Sequence, residues 1–241
     1  SSAPAADMAR AHKAAGYDGI FVTDHFFNAN TAVPRDLPWE ERVDRYFLGY
    51  EHAKEVGDEI GLKVWFGCEF TVTKALAGGA AIDKTGTCLP QETVSVCQQS
   101  DAVFLIYGME KDWMKANEEL LMHTDERVLF SKLRNELDCF IVHAHPFRHA
   151  SYIHHISLYP YDVDAVETIN ASHDPRKLYD ERAKLYADSY GLIKTGGSDS
   201  HHLDKLFGGG IDVPEPINCP ADYHRLLMEG KVYPRERILP V

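Results

Sequence analysis

Four apolar runs in this chain each close on residues that bind metals: VTDH at 22–25, FGCEF at 66–70, IVHAHP at 141–146 and KTGGSDSHH at 194–202. A β-strand is a rigid mount, and in α/β folds the carboxyl ends of the strands carry the chemistry. Histidine, aspartate and glutamate gathered at several such ends form a nitrogen and oxygen ligand set suited to Zn, Mn or Fe. The pattern points to a multinuclear metal hydrolase on an α/β frame.

A chain of 241 residues, 44% of them hydrophobic, can bury one substantial core, so one barrel-sized domain over residues 1–241 is the expectation. The net charge of −12 argues against nucleic acid held by phosphate neutralisation. Nucleotides or short oligonucleotide ends remain compatible, and so does a small phosphorylated substrate, because bound cations invert the local field. The five cysteines are odd in number and form no CxxC pair; Cys68 and Cys139 fall in strand-like runs as reduced, buried thiols. Cytoplasmic residence follows as an expectation. No run approaches the roughly 18–20 apolar residues of a membrane span, and the first residues show no signal-peptide pattern.

Helix formers at 4–15 stop at Gly16, and GIFVTDH (19–25) reads as a buried strand. A long amphipathic helix at 39–60 stops at Gly61 before the strand LKVWFGCEFTV (62–72). AVFLIYGM (102–109), a charged helical stretch at about 111–137, CFIVHAHP (139–146), AVETIN (165–170), a helix at about 175–190 and LIKTGGSD (192–199) follow. The alternation predicts parallel strands joined by right-handed crossovers. Gly78, Gly79, Gly86 and Pro90 interrupt the rhythm, which makes 74–101 a lid or excursion. The tail VYPRERILP (232–240) is expected on the outside.

Glu69 lies between Cys68 and Phe70 in a β run, where a buried carboxylate needs a metal or a core cation as partner. His25 closes a strand beside Asp24, either as a ligand or as an ordinary turn residue. His143 and His145 are two apart and share one side of an extended strand, so one serves as ligand and the other supports it. Arg148 stands just past that strand, where a guanidinium clamps a phosphate or is simply solvated. Asp199 and His201 share an i, i+2 face after Gly196 and Gly197, the strongest single motif. Asn170 and His173 are weaker candidates, and His12, His52, His123 and His224 read as ordinary helical residues. His154 and His155 fall in a loop where either a substrate or nothing is met.

GYDGIFVTDH, GCEF, HAHPFR, ETIN and GGSDSHH, in this order and spacing, resemble the PHP (polymerase and histidinol phosphatase) family from about residue 4 to 202. The resemblance implies a distorted TIM-barrel-like (β/α)7 barrel, two or three divalent ions at the strand ends, and hydrolysis of phosphate esters. It also implies metal-ligand roles for His25, Glu69, His145, Asp199 and His201, with Glu69 bridging two ions. Arg148 matches a phosphate-holding position, and the catalytic set becomes Glu69, Asp199, Arg148 and His201. Asp24 and His143 fall to orienting the imidazoles.

Two departures stand out. The family opens on a strand ending in HxH, whereas this sequence opens at SSAPAADMA, so the first of seven strands is expected to precede Ser1. The run FLIYG (104–108) lacks a histidine that some trinuclear members carry, which favours fewer metals or a replacement ligand. The expected reaction is attack of a hydroxide bridging two metals on a small phosphomonoester. An amidohydrolase-like hydrolase acting on C–N or C–O bonds, and a catalytically inactive metal- or ligand-binding domain, are the alternatives.

Overall fold

The computed structural model describes residues 3–73, 100–150, 153, 156–206 and 208–236. The expected lid at 74–101 lies almost wholly outside them, as do Cys88, Cys97, His154 and His155.

Helix α1 (Ala5–Ala14) leads into strand β1 (Gly19–Val22). Helix α2 (Trp39–Ile60) begins after Pro38 with Glu40 and Glu41 in its first turn, where carboxylates suit the helix dipole. It ends at Gly61, whose φ of 70° favours a residue without Cβ. Strand β2 (Lys63–Thr73) and strand β3 (Ser100–Tyr107) follow. The expected helix at 111–137 is three pieces: α3 (Lys111–Ala116), α4 (Glu118–His123) and α5 (Glu126–Glu136). Asn117, at φ −127°, breaks the first from the second, and the Asp125 side chain caps the third by accepting from the Arg127 amide. Strand β4 (Phe140–Ala144), strand β5 (Ala165–Asn170), helix α6 (Tyr179–Tyr190) and strand β6 (Ile193–Gly197) complete the expected series.

The strands form one sheet in the order β1-β2-β3-β4-β5-β6, curled into a half-barrel consistent with a partial TIM-barrel-like fold. The all-parallel expectation is corrected: β3 runs antiparallel to both β2 and β4, with Glu69 opposite Leu105 and Phe104 opposite His143. Alternation of inner and outer side chains is the same for either strand direction, so periodicity does not distinguish them. A seventh core strand is not among the described residues. The end strands β1 and β6 instead line one cleft of about 460 Å³.

Alternation splits the sheet into two faces. Cys68, Phe70, Phe104, Ile106 and Ile141 point outward into a core closed by α2 and α5. Tyr107, Phe140, Val142 and Ala165 point inward, where Tyr223 of helix α7 (Pro220–Met228) plugs the lumen. The Tyr223 hydroxyl meets Thr195 Oγ1 at 2.6 Å on this floor. Neither α7 nor the hairpin of strand β7 (Gly210–Asp212) with strand β8 (Tyr233–Arg235) was expected; β8 is the part of the tail that pairs. Cys68 and Cys139 are buried free thiols, both pushed up to about 12 by burial. Among the described residues no helix is long and apolar enough to cross a membrane.

Candidate functional site

The cleft between β1 and β6 opens at the carboxyl ends of these strands and is lined there by His25, Glu69, His145, Glu167, Asp199 and His201. Strand β1 stops at Val22, three residues short of His25, yet His25 still bridges in parallel to Glu69. His25 Nδ1 lies 3.2 Å from Glu69 Oε1. The Glu69 carboxylate is the main cause that raises the His25 pKa, against the opposing effect of burial. The His25 and His201 rings stand 5.7 Å apart, which brings the first and last motifs together.

His145 corrects the expectation that it shares a side with His143. Strand β4 ends at Ala144, and His145 turns away at φ 29°, a left-handed value that non-glycine residues rarely adopt. His145 thereby lines the cleft, whereas His143 stays on the outer face, stacked on Phe104 and edge-on to Tyr159 and Tyr186. His143 therefore does not support the cleft residues; burial alone lowers its pKa to about 3. His145 is pushed well below the ordinary imidazole range by burial first and by the Arg148 charge second.

Asp199 also sits at a left-handed φ, 48°, just past β6. Its carboxylate pairs with the Arg148 guanidinium and accepts from Asn170 Nδ2 at 3.1 Å. Burial raises the Asp199 carboxyl, but the charges of Arg148 and its neighbours outweigh that and hold it at about 2. Arg148 Nε donates to His173 Nε2 at 3.3 Å, and His173 Nδ1 lies 2.7 Å from Asp180 Oδ1. Both His173 nitrogens are thus engaged by protein groups. His201 Nδ1 lies 3.0 Å from the Asp199 carbonyl oxygen and 3.3 Å from its carboxylate. The Asp24 carbonyl accepts from the Tyr46 hydroxyl at 2.6 Å and from the Glu69 amide at 3.0 Å.

Glu167 is the cleft residue that the sequence reading missed. It is 4% exposed, accepts from the His145 amide at 2.8 Å and from Asn170 Nδ2 at 3.2 Å, and is raised to about 8 by burial and by the Asp199 charge. In AVETIN, Glu167 carries the same signal as Glu69, a carboxylate inside an apolar strand.

The donor set fits divalent ions in chemistry. His145 Nε2 and His25 Nδ1 are buried without hydrogen-bond partners, and carboxylates lie within the same cleft. As arranged here, no three His, Cys, Asp or Glu side chains among the described residues converge into a metal-holding group. Arg148 already neutralises Asp199.

No protein-family model matches the sequence. Among solved structures, the chain is similar to a two-domain protein from Bacteroides vulgatus containing a predicted PHP-like metal-dependent phosphoesterase. That likeness has a TM-score of 0.56 at 13% identity, covering 96% of this chain and 60% of that one. It establishes the fold. PsfC from Pseudomonas syringae is more distant, with a TM-score of 0.49 at 13% identity over 90% of this chain and 77% of that one. Among curated proteins, a short stretch is similar to 3-isopropylmalate dehydrogenases. The identity is 55% over 53 residues with that of Bacillus caldotenax (22% of this chain, 14% of that protein). It is 49% over 55 residues with that of Aquifex aeolicus (23% and 15%). The matched stretch is thus about a seventh of the length of these dehydrogenases. A stretch of that length is at the lower limit of an independent domain and does not bring their activity to this chain.

Proposed function

We propose that this chain is a metal-dependent phosphoesterase of the PHP type, acting on a small phosphomonoester in the cleft between β1 and β6. The observation that carries the reading is His145 Nε2, buried and without a hydrogen-bond partner in a cleft also lined by Glu69, Asp199, His25 and His201. An imidazole nitrogen left so at a strand end is suited to a metal bond. His25, Glu69, His145, Asp199 and His201 would hold two or three Zn, Mn or Fe ions. When bound, such ions supply Lewis acidity and an activated water.

The chain's own groups supply the rest. Arg148, once released from Asp199, offers a planar two-point donor to phosphoryl oxygens and stabilises the charge that develops there. Half-exposed His201, beside His25 at the cleft, orients the leaving group. Phe21, Leu105, Tyr107 and Tyr223 give the lower cleft a largely apolar floor.

The test is elemental analysis together with phosphate release from a phosphomonoester panel, on the native chain and on Glu69→Ala. At least two ions per native chain with turnover, both lost in Glu69→Ala, are expected. Full metal content and full rate in the variant would refute the assignment. The Arg148–Asp199 pair favours one second reading, a catalytically inactive ligand-binding domain, to which absence of both metal and turnover would point.

A further inference from the structure

Three segments that the chain brings from different strands meet on one buried carboxylate. Glu167 Oε2 accepts from the backbone amide of His145, at the end of β4, and from the side-chain amide of Asn170, on its own strand. Its Oε1 lies where a Cβ on Gly197, at the end of β6, would come within 2.7 Å. Residues 167 and 170 would face opposite sides of a regular strand, since side chains alternate with period two. The β5–β6 register shifts between Glu167 and Ile169, and this irregularity turns both side chains to the cleft. The amide that Glu167 accepts belongs to the residue that leaves its strand at φ 29°. A left-handed backbone at a histidine is unfavourable and persists only where its surroundings over-determine it.

We infer that Glu167 is the positioning residue of this site: its carboxylate holds His145 in the left-handed turn that aims the ring into the cleft, and holds Asn170 against Asp199. The inference rests on the metal-binding reading for its purpose, but its geometry stands without metal. Asn170 Nδ2 spans Glu167 at 3.2 Å and Asp199 at 3.1 Å, so the strap runs from His145 through Glu167 and Asn170 to Asp199. Gly197 is the residue that lets the strap pass, because any side chain there would strike the carboxylate.

The experiment compares the native chain with Glu167→Ala and Glu167→Gln, using amide hydrogen exchange on metal-free protein and Co2+ titration followed by its visible spectrum. The glutamine oxygen can still accept from the His145 amide, so Glu167→Gln should keep its protection, whereas Glu167→Ala should speed its exchange by more than about tenfold. The His143 amide, within the β3–β4 pairing, is the internal control for opening of the whole strand. Co2+ affinity should fall by about 10–100-fold in Glu167→Ala, with an altered spectrum, and recover in Glu167→Gln. An unchanged His145 exchange rate in Glu167→Ala would overturn the inference, as would equal loss in both variants. If Glu167→Ala opens the strand, Glu167→Gln decides alone, retained protection supporting the inference and lost protection ending it. A native chain that takes up no Co2+ would end the metal reading, while the exchange rates would still decide the role of Glu167.

Discussion

The guanidinium of Arg148 rests on the carboxylate of Asp199, tying the turn after β4 to the end of β6. The same guanidinium donates to His173, which is held from behind by Asp180, so Asp180, His173, Arg148 and Asp199 form one row across three strand ends. Through Arg148 this row supplies the positive charge that a buried carboxylate needs.

Arg148→Ala should therefore separate two effects. With side chains only 20% and 11% exposed, the pair is buried enough that losing one partner should cost about 3 kcal/mol in urea denaturation of metal-free protein. Divalent-ion binding should tighten by roughly tenfold, because a unit charge about 4 Å away is worth on the order of 1–4 kcal/mol at a protein surface. Calorimetric titration with Mn2+ reads this directly. Weaker Mn2+ binding in the variant would show instead that Arg148 holds Asp199 in its ligating position.

His143 makes the fold acid-sensitive. Burial lowers its pKa from 6.5 to about 3, so between these values the unfolded chain binds a proton that the folded chain refuses. The stability this neutral ring provides is complete above about pH 6.5 and is lost as the pH falls towards 3. His143→Phe should keep the stacking on Phe104 and remove the buried, unpartnered Nδ1. Urea midpoints at about pH 7 and about pH 5 should differ less in His143→Phe than in the native chain, with the variant more stable by about 1 kcal/mol at the higher pH. An identical drop in both proteins would place the acid sensitivity elsewhere.

The strand positions were legible because each is a short apolar run closed by Gly, Pro or a polar cluster, and the six predicted runs are the six strands of the sheet. The direction of β3 was not, since alternation is blind to polarity. The separation of His143 from His145 was hidden for a different reason: an i, i+2 spacing predicts a shared side only while the backbone stays extended, and His145 leaves it at φ 29°. Helix α7 carries a readable stripe in Tyr223, Leu226 and Leu227, with Pro220 at its start, but it lies beyond the last candidate ligand motif and the sequence reading omits it. That omission matters for the site, since Tyr223 forms the floor on which β6 rests.

The contact between Tyr223 and Thr195 connects this floor to the end of β6, two residues before Gly197 and four before Asp199. Both hydroxyls are buried, and either can donate to the other, so each satisfies the other's need for a partner away from water. Tyr223→Phe or Thr195→Val alone leaves one buried hydroxyl without that partner and should cost about 1–3 kcal/mol in chemical denaturation. The double variant removes both groups and should cost less than the sum, with a coupling of about 1 kcal/mol. Strictly additive losses would mean that each hydroxyl finds another partner. If the cycle shows coupling, the same variants should also weaken Mn2+ binding, because β6 carries Asp199 at its end and α7 is what holds that strand against the lumen.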